Sequence, residues 1–160
     1  MEDLKKLLTA DNITNADASR GRMVFNKTCA TCHQLFGEGS KVGPELTGSQ
    51  RTNSEYLIQN LIDPNALVGK DFQMTTFTTT KGRVISGIII SEENNVLTLQ
   101  TPTEKLTLNL DDVDERNTSN LSLMPEGLLK PLSEQQILDL VSYLQSPEQV
   151  ALPPETADSN

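Results

Sequence analysis

Cys29-Ala30-Thr31-Cys32-His33 is the stretch that decides how this 160-residue sequence folds. It holds the only two cysteines and the only histidine of the chain. Two thiols separated by two residues lie about one helical turn apart, so both can reach toward the same body, and the imidazole follows directly. Three rare side chains within five positions indicate one site.

This C-x-x-C-H pattern is typical of c-type haem attachment. Cys29 and Cys32 would form thioethers with the two vinyl groups of the porphyrin, and His33 would ligate the iron. A redox C-x-x-C would need a thioredoxin-like βαβ context, which is not visible, and a zinc site would need a fourth ligand. We therefore expect one covalently attached haem c.

The composition excludes several other classes of protein. Lys and Arg number 13 against 22 Asp and Glu, a net charge of −9, which argues against nucleic acid as a partner. No apolar run approaches the roughly 18 residues of a membrane span. Aromatic residues are 4% and Trp is absent, so large side chains for a core are scarce. A haem would supply the missing apolar body.

A second axial ligand must come from another residue type, because a single histidine excludes bis-His ligation within one chain. The methionines are Met1, Met23, Met74 and Met124. Met124 precedes Pro125, which stiffens its loop and would hold a weak thioether ligand in place. Met74 lies in a strand-like, Thr-rich run, where core filling is the usual role of methionine. We predict Met124 as the ligand and keep Met74 as the alternative.

Capping signals place the helices. Residues 1–15 form an N-terminal extension, and a helix over about 16–30 would be capped by Asn15 or Asp17. Asn53-Ser54 opens a third helix. Ser133 to Gln136 is a capping-box pattern before a terminal helix. Gly21 and Phe25 share one helical face, so we expect a close crossing with the terminal helix and a contact with Tyr143.

Residues 71–113 have a different character, with Thr, aromatic and β-branched runs separated by turns. They predict a four-stranded antiparallel meander, curled toward a small barrel. The simplest interpretation is a structural insertion; docking of an upstream domain, or cover over one haem edge, are the alternatives. The acidic run Asp111–Glu115 is interpreted as a solvated loop, with a cation site or a docking patch as the alternatives. Residues 148–160 are expected to be a disordered tail.

These features together resemble class I cytochrome c. The resemblance rests on Gly21, Phe25, the Cys29–His33 motif, Gly43-Pro44, Leu46, Met124-Pro125 and the helix of Tyr143. It implies a mainly α fold, with 16–70 and 114–147 forming a cytochrome c helical domain. An inserted small antiparallel sheet would lie between the third helix and the axial-Met loop.

From Gly21 to Ser146 the chain also resembles a narrower family, the haem-binding domain of the planctomycete–verrucomicrobial type. Members commonly end large exported proteins, often behind a β-propeller resembling sugar dehydrogenases. The resemblance implies a periplasmic or otherwise exported terminal domain. Its redox partner would be a separate protein or an upstream dehydrogenase domain.

The cytochrome resemblance also implies roles for individual residues. The Pro44 carbonyl would accept a hydrogen bond from His33 Nδ1 and fix its tautomer. Apolar contacts to the haem would come from Leu46, Leu57 and Ile58. A haem propionate would meet Arg51 or Tyr56, although both also suit the surface.

The expected function is one-electron transfer by a His/Met-ligated low-spin haem, in a carrier and not an enzyme. An alternative is a haem-based sensor or peroxidase-like domain with a labile sixth ligand. The sequence offers no distal histidine, which counts against peroxidase activity. A third possibility makes the β insertion the main binding module.

Overall fold

Helices flank a strand-rich middle in the computed structural model, which describes residues 2–154. Two short helices, α1 (Glu2–Leu7) and α2 (Ala10–Thr14), precede α3 (Ala18–Thr28). A two-stranded ribbon of β1 (Gln34–Leu35) and β2 (Glu38–Gly39) follows, then α4 (Ser54–Ile62). Helix α5 (Glu134–Gln145) ends the regular structure. Within the described residues, no helix is both long and apolar enough to cross a membrane.

The three longer helices begin where their side-chain caps predict. Asp17 accepts hydrogen bonds from the Ser19 and Arg20 amides at the start of α3, and Asn53 accepts from Tyr56 at the start of α4. Ser133 and Gln136 form a complete capping box at α5. These caps satisfy amide groups that a helix start would otherwise leave without partners.

Helices α3 and α5 cross in very close contact at Gly21. A side-chain carbon at this position would lie 1.9 Å from the Asp139 carbonyl oxygen, so only glycine fits. The crossing brings Phe25 against Tyr143, edge to face, with ring centroids 5.5 Å apart. The predicted crossing is therefore confirmed, and it forms the centre of the helical core.

Five antiparallel strands form one sheet, in the order β6-β5-β4-β3-β7. Their ranges are β3 (Thr75–Thr79), β4 (Val84–Glu93), β5 (Val96–Gln100), β6 (Lys105–Asn109) and β7 (Val113–Thr118). The short 3-10 helices Lys70–Phe72 and Leu110–Asp112 lead into β3 and β7. A separate small core of Phe77, Ile85, Leu97 and Leu99 lies on one face.

The predicted mainly α class is wrong. Helix accounts for 32% of the structure and strand for 23%, so the sheet is a major part of the fold and not a small insertion. The sheet also has five strands instead of four. The fifth, β7, begins at Val113, the last residue of the predicted insertion, and continues into a segment predicted to belong to the helical domain. It pairs with β3 from Thr75↔Thr118 onward.

The acidic residues of Asp111–Glu115 are exposed to solvent, as predicted, but the segment is not a loop. It runs through a 3-10 turn into β7, where backbone pairing with β3 holds it. The predicted disordered tail differs as well: Val150 packs on the helical core and its carbonyl accepts a hydrogen bond from Arg22. Residues 155–160 of that prediction lie outside the described part of the chain.

Candidate haem site

The C-x-x-C-H motif forms a tight turn directly after α3. Cys29 caps that helix, and the amides of Cys32 and His33 both donate to the Cys29 carbonyl, over 3.0 Å and 2.8 Å. The two cysteines are not joined in a disulfide, and both line one pocket together with His33. Burial, with a smaller contribution from Cys32, raises the pKa of Cys29 to about 12.

The imidazole of His33 is held by the chain that follows it. Its Nδ1 lies 2.8 Å from the Pro44 carbonyl oxygen, which assigns the proton to Nδ1 and leaves the Nε2 lone pair available. Gly43 lies against the ring: a side-chain carbon there would be 2.8 Å from Cε1. The Gly43-Pro44 segment therefore orients the ring by one hydrogen bond and one close contact.

The pocket is lined mainly by apolar side chains from distant parts of the chain. The predicted residues that line it are Cys29, Cys32, His33, Pro44, Leu46, Arg51, Tyr56, Leu57 and Met124. Ile58 does not line it. Helix α4 turns Leu57 and Leu61 toward the pocket, four residues apart on one face. Ile58 lies on the neighbouring face and is buried in the helical core, 4% exposed.

Arg51 lines the pocket but is already engaged with the backbone. Its Nη1 donates to the carbonyls of Leu144 and Ser146, and its Nε donates to the Thr47 carbonyl over 3.2 Å. The guanidinium also lies 4.8 Å from the centre of the Phe36 ring. Arg51 therefore ties the loop before α4 to the end of α5, a role that its position in the sequence does not reveal.

Met124 lines the same pocket, and one side chain holds its loop on both sides. The Asn65 carboxamide accepts from the Ser122 amide over 2.9 Å and donates to Glu126 Oε1 over 2.8 Å. The Met124 amide in turn donates to Ser122 Oγ over 3.0 Å. Met74, the alternative ligand, is not among the pocket-lining residues.

Sequence reasoning missed the pocket residues that the sheet provides, Ile88 of β4 and Pro102 of the β5–β6 turn. In Val84–Ile90 the apolar residues are nearly continuous, so alternation cannot separate one face from the other. Asn65 was also missed as a contact of the Met124 loop. Its place directly after Asp63-Pro64, at the end of a predicted helix, was the available signal.

The residues present fit a covalently held haem. Two thiols and an oriented imidazole open on an apolar pocket, which is the donor set and surround that this cofactor needs. Gly43 leaves the space that the His33 ring occupies beside it.

Comparison with known proteins agrees with this donor set. The sequence model of the family described as cytochrome c oxidase, cbb3-type, subunit III matches residues 16–82. Cytochrome c of Arabidopsis thaliana is 50% identical over 40 residues, covering 24% of this chain and 36% of that protein. A cytochrome c-553-like protein of Synechocystis sp. is 40% identical over 47 residues, covering 29% and 44%.

Cytochrome c of Cochliobolus lunatus is 54% identical over 33 residues, covering 20% of this chain and 31% of that protein. The chain thus spans less than half the length of these curated relatives. These similarities are to c-type cytochromes, and they agree with covalent attachment of haem c at the C-x-x-C-H motif.

Proposed function

We propose that this chain is a single-haem electron carrier in which His33 and Met124 are the axial ligands. One observation carries the proposal: the same pocket is lined by Cys29, Cys32, His33 and Met124. The motif precedes the five-stranded sheet in the sequence and Met124 follows it, so the fold brings distant residues together. When bound, the haem iron supplies a one-electron couple.

The residues of the chain provide attachment, orientation and shielding. Cys29 and Cys32 hold the cofactor, and the Pro44 carbonyl makes His33 a better ligand by accepting a hydrogen bond from its Nδ1–H. The hydrogen bonds of Asn65 hold the Met124 loop. A thioether ligand and an apolar surround both favour the ferrous state and raise the reduction potential.

The haem propionates would lie on the side of the pocket that Arg51 and Tyr56 line. Tyr56 is the better supported contact, because Arg51 already donates from two of its nitrogens to backbone carbonyls. Tyr56 is half-buried on the first turn of α4 and lines the pocket. Leu46 and Leu57 would pack against the porphyrin, whereas Ile58 would not.

The physiological partner is proposed from the resemblance to the planctomycete–verrucomicrobial haem-binding domains. It favours an exported or periplasmic protein in which this chain receives electrons from a dehydrogenase-like domain or a separate redox protein. The net charge of −9 favours a partner with a basic docking face, through an attraction that weakens with salt.

An absorption spectrum of the ferric protein tests the axial ligands. We expect a low-spin spectrum with a methionine–iron charge-transfer band in the red, present in wild type and in the control Met74→Ala and lost in Met124→Ala. Loss of the band in Met74→Ala instead would refute Met124 as ligand. If the wild-type protein is high-spin and binds CO or cyanide readily, the result would refute the carrier function and favour a sensor or peroxidase-like function.

A further inference from the structure

Ile88 is a buried apolar residue that contributes to neither hydrophobic core of the described chain. It is 7% exposed, as is Ile85 on the same strand. Ile85 packs with Phe77, Leu97 and Leu99 in the sheet core, whereas Ile88 lines the haem pocket. The two isoleucines of β4 thus have equal burial but different surroundings.

Strands β4 and β5 approach each other unusually closely beside Ile88. A side-chain carbon on Gly87 would lie 2.7 Å from the Gln100 carbonyl oxygen, so no larger residue fits without a backbone shift. Ile88 itself is paired with Gln100. The strand that presents Ile88 to the pocket is therefore fixed by tight packing on its neighbour.

The turn after β5 is fixed by side-chain hydrogen bonds. The Gln100 carboxamide donates to the Thr101 carbonyl over 2.7 Å. The Thr101 hydroxyl accepts from the amides of Thr103 and Glu104, over 3.3 Å and 3.1 Å. Gln100 and Thr101 are buried polar residues, and the turn they hold contains Pro102, which lines the pocket.

Pro102 is exposed to solvent in this turn while also lining the pocket. Proline has no amide hydrogen that could bind a water molecule at this apolar site, and its ring fixes the backbone φ angle. A buried isoleucine on a strand and an exposed proline on a turn thus give the pocket one rigid apolar side, contributed by the sheet.

We propose that the five-stranded sheet acts as a wall of the haem pocket, in which Ile88 and Pro102 limit the access of water and small ligands to the cofactor. The inference rests on the proposed function, since it needs haem in this pocket. It assigns the sheet a role in setting the redox potential. The apolar surround of a metal site controls both its solvent access and its potential.

The test compares isoleucines of β4 in the haem-loaded full chain. Ile88→Ala opens the wall, Ile85→Ala removes an equally buried side chain from the sheet core, and Ile90→Ala changes a 47% exposed position. The readouts are the midpoint potential from a redox titration and the rate at which imidazole binds to the ferric protein. Pro102→Ser tests the wall at an exposed residue whose replacement does not threaten folding.

We expect Ile88→Ala to lower the potential and to speed imidazole binding several-fold, and Pro102→Ser to act in the same direction more weakly. Ile85→Ala should reduce stability to urea without changing the potential, and Ile90→Ala should change neither. The proposed role of the sheet would be refuted if Ile88→Ala and Ile85→Ala shifted the midpoint potential equally, or if neither Ile88→Ala nor Pro102→Ser shifted it. Neither result would contradict the carrier function. A wild type without covalently bound haem would overturn both proposals.

Discussion

The side chains of Asn65 and Glu126 are joined by a hydrogen bond of 2.8 Å between Nδ2 and Oε1, which links the segment after α4 to the loop of Met124. The same carboxamide accepts from the Ser122 amide. The carboxamide donates on one side and accepts on the other, whereas a carboxylate in its place could only accept. Asn65 is therefore the side chain best placed to hold Met124 in the pocket.

We expect Asn65→Asp to weaken ligation by Met124. The change removes the donor, places a negative charge beside Glu126, and costs about 0.5–1.5 kcal/mol for the lost hydrogen bond. The measurement is the intensity of the red charge-transfer band of the ferric protein with rising temperature or pH. Asn26→Asp, on the exposed side of α3, is the matched control. A band equally persistent in both variants would contradict the assignment.

Gly43→Ala is expected to disturb directly the imidazole of His33, the proposed iron ligand. The added carbon would lie 2.8 Å from Cε1 and 3.1 Å from Nδ1 of His33, so the ring must tilt or move away from the Pro44 carbonyl. We expect a shift in the ferric spectrum and a fraction of high-spin haem. Gly48→Ala is the control, since a carbon there meets open space. A wild-type spectrum in Gly43→Ala would show that this contact does not orient the ring.

Gly21→Ala is expected to destabilise the whole protein, because the new methyl group would overlap the Asp139 carbonyl oxygen at the α3–α5 crossing. Overpacking of this kind costs about 1–3 kcal/mol, and the better helix propensity of alanine returns only about 1 kcal/mol. Urea unfolding followed by circular dichroism measures the difference. Gly48→Ala again serves as control, and equal midpoints in the two variants would refute the close crossing.

The helices were predictable because their signals are local. Asp17, Asn53 and Ser133 each cap a helix through side-chain bonds to amides two or three residues away, so a short stretch of sequence carries the whole interaction. The motif that ends α3 is equally local. Its two thiols and imidazole are brought together by a single turn.

Strand β7 and the identity of the sheet residues that line the pocket, Ile88 and Pro102, were not predictable, since both depend on distant contacts. The Val113–Thr118 strand is almost entirely polar and exposed. Backbone pairing with β3 holds it, together with Arg116, which bonds Glu92 and lies over the Phe77 ring. No apolar alternation marks such an edge strand. Which isoleucine of β4 reaches the haem pocket depends in the same way on how the sheet sits against the helices.

Asp139 should make stability depend on pH in the acid range. Burial alone raises the pKa of its carboxyl group, but hydrogen bonds from Arg20, the Asp17 amide and Gln135 outweigh burial, so its pKa lies below the ordinary value. These bonds, from Arg20 Nε, Asp17 N and Gln135 Nε2, are each 2.8 Å long. A lowered pKa means that the folded state binds the proton less readily than the unfolded chain.

The contribution of Asp139 is therefore complete above the ordinary carboxyl pKa of about 3.9 and is lost as the pH falls through its lower value in the folded protein. Urea midpoints of the haem-loaded protein, measured from about pH 6 to about pH 2, should fall more steeply in wild type than in Asp139→Asn. At neutral pH the variant should be less stable by about 1–3 kcal/mol, the cost of disrupting a buried hydrogen-bonded group. Glu134→Gln, an exposed change on the first turn of α5, should follow the wild-type curve. Parallel curves for wild type and Asp139→Asn would show that the carboxyl group titrates alike in the folded and unfolded chain.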